Sequence, residues 1–332
     1  MIVINNSMKK LGLLSIIASF FGCMEPNSED IWTLNKLAQV DTEGYCRDVY
    51  ISGDSVFVAA GQAGVQLYDV STITAPTLVW SMSLSDLGVS KEISQVEYEP
   101  SIKQLFALES NERPIHLDLS KGDTVSVVGQ FSSEKTKEFR VITHNDTTFT
   151  LYAADNDDGL KTNTFEFDSS FELWFNTAGS EISSVGNPNG IDIINNTIVL
   201  TLDQLGYEIF TMNGSTITSN GAVDLSGNSR AVTMVNENEF YVSSEDAGAY
   251  HISNSTKEQF AEGLYVTHVT FNGKMVALST ASNGLTLYDL SSSGSHEERG
   301  IHDIGYVYHA EFSDGVLFAA TREGLQILEI VE

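Results

Sequence analysis

The chain has 332 residues, 42% of them hydrophobic, with 45 acidic against 17 basic side chains and a formal net charge of −28. That surface repels a phosphate backbone and anionic lipid headgroups, which argues against nucleic-acid binding and against adhesion to a membrane through the protein surface. Two cysteines, Cys23 and Cys46, are too few for a disulfide framework, and no Cys/His metal spacing is present.

The first thirty residues read as an address. Lys9 and Lys10 precede an apolar run, Leu11 to Phe21, that is too short to span a bilayer, and Gly22-Cys23 follows. The stretch LLSIIASFFGC resembles a bacterial lipoprotein signal. That resemblance implies residues 1–23 as signal peptide, lipidation at Cys23 and stable attachment to the membrane through the lipid anchor. Met24 in place of Asp after the Cys implies the outer membrane, with the body periplasmic or surface-exposed. Residues 24–30 are polar and read as a tether reaching roughly 25 Å at ~3.3 Å per residue. Cys46, left unpaired beside an expected strand, reads as a small buried apolar residue.

From residue 31 onward one pattern recurs. RDVYISGDSVFVAAGQAGVQLYDVS, from Arg47 to Ser71, holds an alternating apolar run, a polar turn, a second run, a Gly-closed corner and a third run. HVTFNGK–MVALST–ASNG–LTLYDLS and HAEFSDG–VLFAAT–REG–LQILEI repeat it near the end, with fainter copies between. The corner glycines Gly64, Gly159, Gly206, Gly248, Gly284 and Gly324 recur at about 40–50 residues, once a second unit lacking the Gly is allowed for. Period-2 alternation bounded by Gly, Asn and Asp is the mark of antiparallel strands, and SGD, NNT and NGK suit hairpin turns needing positive φ. No stretch carries a helical stripe. The fold class expected is all-β: a seven-bladed β-propeller over residues 31–332, or six blades if the second and third units merge. The third unit reads as carrying inserted residues, 160–164, after its corner.

VAAGQAGVQLYDVS, echoed in STASNGLTLYDLS, resembles the LVIVD-repeat family of bacterial surface propellers. The resemblance is specific in the first, sixth and seventh units.

A ring of blades must close, or its end strands expose unpaired edges. The last unit stops after three strands, while IWTLNKLAQV at Ile31 to Val40 resembles the fourth strand TLVWSMSL of another unit. The N-terminal stretch is therefore expected to complete the last blade. It then starts on the face opposite the corners, so the corners point away from the membrane.

The positions just before each first run are Arg47, Gln95, Arg140, Asn189, Arg230, His268 and His309. In a propeller these ring the mouth of the central channel. Three arginines gathered there in so acidic a chain predict a local positive well for a carboxylate, an acidic sugar or a peptide terminus. His268 and His309, on neighbouring blades, are the candidate general acid/base pair. Asp155, Asp157 and Asp158 offer hard oxygens to calcium, but the twelve-residue loop with its distal Glu is missing, so solvated loops are the better reading. No nucleophile elbow, HExxH, P-loop or dinucleotide fingerprint occurs, and neither a cofactor nor a metal is expected. The whole reads as a lipid-anchored binding or scaffolding module of a bacterial envelope, with a glycan, peptide or envelope protein as partner. The alternative is a propeller hydrolase or lyase acting on an acidic polysaccharide or peptide.

Overall fold

The computed structural model describes residues 31–122, 124–290 and 294–332. The expected signal peptide, Cys23 and the tether lie outside the described residues. The described residues form seven four-stranded antiparallel sheets, six of them continuous meanders from an inner to an outer strand. The inner strands of neighbouring sheets touch one another around a complete ring. This is a seven-bladed β-propeller, and the six-blade count falls away because the second and third units are separate sheets.

Blade 1 runs through Asp48–Ser52, Ser55–Ala59, Val65–Asp69 and Thr77–Met82. The inner strands of blades 2 to 7 are Ile93–Glu99, Thr136–Asn145, Gly190–Ile194, Val232–Asn236, His268–Phe271 and Val307–Ser313. Second strands are almost wholly buried, as in Ser55–Ala59 and Gln104–Glu109, because each lies between two neighbouring blades. Outer strands such as Leu173–Ile182 are mostly exposed. Seven apolar clusters result, one at each blade-to-blade junction. Burying one Val, Leu, Ile or Phe contributes about 1.5–3 kcal/mol. A single blade has both faces bare, so that contribution is gained only when the blades stack.

Closure occurs as expected. Thr33–Val40 pairs antiparallel with Gly324–Val331, from Thr33 opposite Val331 to Val40 opposite Leu325, as the outer strand of blade 7. Trp32 is buried in the junction of blades 6 and 7, and its backbone N–H donates to the Arg299 carbonyl oxygen at 2.8 Å. Because strands alternate direction, the closing strand begins on the face opposite the corners.

Three local readings change. Residues 160–164 are not an insertion: they are the first half of a ten-residue third strand, Gly159–Asp168, in a blade whose strands are longer than those of its neighbours. The second unit makes its corner without the Gly by placing Asn111 at φ 56° just before the strand Pro114–Asp118. One helical turn, Leu84–Leu87, follows the outer strand of blade 1. It is too short to show a stripe and is made by its ends: Ser83 and Asp86 form a capping box, and Gly88 closes it at φ 71°. Among the described residues, no helix is long and apolar enough to cross a membrane.

Candidate functional site

The inner strand of each blade has a ladder partner on one side only. Its other edge presents bare N–H and C=O groups to the channel, and such groups need partners. Side chains from the preceding blade supply many of them. Asp48 accepts from the Val96 N–H at 3.0 Å, Glu97 from Val141 at 2.7 Å, Glu138 from Ile191 at 3.1 Å and Asp192 from Met234 at 2.7 Å. The Thr233 hydroxyl donates to the Val269 carbonyl oxygen at 2.5 Å. The rings of His268 and His309 lie 4.3 Å apart, and His309 Nδ1 meets Asp48 Oδ1 at 2.5 Å. These contacts form a polar belt that passes through all seven blades.

The belt surrounds a cavity of about 580 Å³, and all seven residues picked from the sequence line it: Arg47, Gln95, Arg140, Asn189, Arg230, His268 and His309. They do not make the expected positive well. Five carboxyl groups, those of Asp48, Glu97, Glu138, Asp192 and Glu311, line the cavity beside four cations, Arg47, Lys137, Arg140 and Arg230. Three of those cations are held in ion pairs. Arg140 sits 3.0 Å from Glu138 and 3.1 Å from Asp192. Arg47 grips both carboxylate oxygens of Glu92, each at 2.8 Å, and Arg230 lies 3.4 Å from Glu245. Lys137 hydrogen bonds to the amide oxygen of Asn111 rather than to a carboxylate. Gln95 is buried, its amide tied to both backbone groups of Phe139 at 2.9 and 3.0 Å. Arg140 and Gln95 therefore hold the ring together, and Arg230, with half its side chain exposed, is the most open of the three arginines.

Burial sets the protonation of the belt. It raises Glu97 to about 8, against the opposing pull of Arg140 and the Val141 N–H, and it raises Glu311 to about 7 against His309. Burial drives His268 well below its usual range, with His309 pushing the same way, so its imidazole is neutral. Burial also disfavours charge on His309, but Asp48 together with Glu311 and Glu138 outweighs it and the net shift is upward. A neutral imidazole thus faces one held by a carboxylate, an arrangement able to move a proton.

The calcium candidates do not converge on a common centre. Asp155 Oδ2 accepts from the Ser133 hydroxyl at 2.7 Å and the Glu134 N–H at 3.1 Å. Asp157 pairs with Lys135, and Asp158 with Lys161. Their oxygens serve the loop itself.

Beside the mouth stands an aromatic ledge that the repeat pattern alone does not single out. Tyr306 and Tyr308 have ring centroids 4.7 Å apart, and Tyr45 and Tyr308 6.3 Å. The Arg47 guanidinium lies 4.3 Å from the Tyr308 ring centre, and that of Arg322 lies 4.5 Å from Tyr306. Tyr45 is 46% exposed and leaves the ledge open. A signal for it existed: Tyr45, Tyr265 and Tyr306 stand two or three residues before the mouth positions Arg47, His268 and His309.

Fold and cavity together define a closed seven-bladed propeller with a polar central cavity and a tyrosine–arginine ledge on its corner face. No family model and no curated protein matches the sequence. The similarity is one of structure. The chain resembles the WD40 repeats of RRP9 with a TM-score of 0.69 at 10% identity, covering 90% of this chain and 97% of that one. It resembles Sqt1 of Saccharomyces cerevisiae with a TM-score of 0.62 at 13% identity, covering 90% and 99%. It resembles the computationally designed Ika8 protein with a TM-score of 0.61 at 10% identity, covering 89% and 99%.

Proposed function

We propose that the protein is a binding module of a bacterial envelope, of the LVIVD-repeat kind, anchored at the outer membrane by lipid on Cys23. It captures a peptide segment of a partner on its corner face. The observation that carries this reading is the open ledge of Tyr45, Tyr306 and Tyr308 with Arg47 and Arg322, set at the rim of a cavity that offers both charges. Tyrosine and arginine supply large contact area at low ordering cost. A mouth whose cations are mostly paired with acids suits a chain of mixed charge better than a polyanion. The address in residues 1–30 and the start of the closing strand on the opposite face together support a membrane-distal corner face.

The test is an array of peptides and glycans screened with the body from Met24, alongside fractionation of the full chain. Peptide binding that falls at least tenfold in the variant Tyr45→Ala with Tyr306→Ala, and membrane attachment lost in Cys23→Ser, are expected. Binding only to acidic glycans, untouched by the tyrosine changes, contradicts the peptide reading. A Cys23→Ser chain that stays with the membrane contradicts the anchor. The second reading, a hydrolase or lyase, rests on the His268–His309–Asp48 contact. Turnover of a bound peptide or acidic polysaccharide that disappears in His268→Ala would favour it.

A further inference from the structure

Away from the channel, where the outer strands of blades 5 and 6 meet, two histidines and a glutamate converge. His251 lies on the third strand of blade 5, Ala249–Ser253, directly opposite Glu258 on the outer strand Thr256–Phe260. His296 opens the outer strand of blade 6, His296–His302. Glu258 Oε2 stands 4.0 Å from His251 Nδ1, and Glu258 Oε1 stands 3.5 Å from His296 Nδ1. One ligand atom from each of the three lies within 4.8 Å of the others.

The surroundings prepare these atoms for something other than each other. His251 Nε2 is 2.9 Å from Glu239 Oε1, so its proton belongs on Nε2 and the Nδ1 lone pair is left open. His296 Nε2 is 3.2 Å from the Tyr241 hydroxyl. The His296 side chain is 1% exposed, stacked on Phe260 at 4.1 Å, yet its Nδ1 has no hydrogen-bond partner and points toward the carboxylate. An orphaned buried nitrogen of this kind calls for an explanation. Separations of 3.5 and 4.0 Å are long for N–H···O bonds, whose range is about 2.7–3.2 Å. The shorter is close to the ~3.4 Å between neighbouring ligands of a tetrahedral centre with metal–nitrogen bonds of about 2.0–2.1 Å, and the longer, to the other carboxylate oxygen, needs a small side-chain shift to reach it. The carboxylate behind His251 is an outer partner that metal-bound imidazoles use, and the Tyr241 oxygen can accept from His296 Nε2 in the same way.

We propose that His251 Nδ1, His296 Nδ1 and the Glu258 carboxylate bind one divalent zinc-class ion as a clasp between blades 5 and 6. Two imidazoles and a carboxylate suit zinc or cobalt better than calcium or magnesium, which favour all-oxygen sites. Glu258 is 44% exposed, which leaves a way in for the ion and room for water as a fourth ligand. The trio is invisible to sequence spacing because its members sit on two blades and assemble only when the blades stack.

The experiment uses the full chain in detergent, stripped with chelator and titrated with zinc chloride by calorimetry and thermal melting, and with cobalt by visible absorption. The expected result is one ion per chain, a melting temperature raised by zinc, and the absorption of tetrahedral cobalt. Glu258→Gln, at an accessible side chain, and His251→Asn, at a side chain 12% exposed, are expected to lower zinc affinity at least tenfold and abolish the cobalt signal, with Glu258→Gln melting like the parent without metal. Three results overturn the proposal: no zinc binding by the parent, zinc binding that the two variants leave intact, or histidines that pair with Glu258 only. The last would show as Glu258→Gln melting lower without metal and neither chain responding to zinc.

Discussion

Glu97 shows most plainly how single residues hold the ring. Its carboxyl group accepts from the Val141 N–H across a blade junction, and burial raises it to about 8 from an ordinary value of 4.5. The folded chain therefore holds a proton there that the unfolded chain releases at lower pH. Its contribution is complete below the unfolded value and is lost as the pH rises through about 8. His309, raised by Asp48 against its own burial, has the same sign, and His268, lowered by burial, has the opposite one. Comparing parent and Glu97→Gln at each pH cancels both, because the amide oxygen still accepts from Val141. The two chains should melt together at about pH 4, below the unfolded value. At about pH 9 the variant should be at least ~1 kcal/mol more stable, about 1–2 °C for a body of this size. Equal melting at both pH values would show that Glu97 ionises freely. The mouth positions were legible because the repeat puts one of them at the same phase in every unit. The acids were not: Glu97, Asp192 and Glu311 lie two or three residues further along the strands than Gln95, Asn189 and His309, and the backbone groups that Glu97 and Asp192 accept from across the junctions belong to other blades.

The corner is the element that repeats best, and the structure gives it two separate causes. All six corner glycines have positive φ, between 76° and 107°. A Cβ on any of them would also come within 2.0–2.5 Å of a backbone carbonyl oxygen at the end of the blade's outer strand. Positive φ was readable from the sequence; the close approach was not, because the outer strand that crowds the corner comes roughly twelve to twenty-three residues later in five blades and from the N-terminal end of the propeller in the seventh. Gly284 and Gly214 separate the two. Gly284 has φ 82° and 2.1 Å to the His302 oxygen, whereas Gly214 has φ 61° and open space. Gly214→Ala should cost only the backbone term, roughly 1–2 kcal/mol. Gly284→Ala must also displace an outer strand and should exceed about 3 kcal/mol in chemical denaturation. Equal losses would mean that conformation alone selects the glycine. Blade 3 was misread at this scale because a ten-residue strand, Gly159–Asp168, looks in sequence like a standard strand with an insertion.

At the scale of the molecule, the ring exists because no blade buries its faces alone and because residues from the two ends of the propeller share the last sheet. Alternation, turn residues and the period of the corners were enough to read seven blades and their closure. Contacts between units, such as the belt and the histidine–glutamate trio, follow from stacking and leave no trace in spacing. Closure is the claim on which cavity, ledge and orientation all depend, and its register offers a direct test. Asn35 stands opposite Glu329 in the last blade, and both are exposed. In the variant Asn35→Cys, Glu329→Cys with Cys23→Ser, mild oxidation should form an intramolecular disulfide in nearly every chain. It should also raise the melting temperature, as expected for a cross-link closing a loop of almost the entire propeller. Thiols that stay free under oxidation, or that join only between chains, would contradict the closed ring.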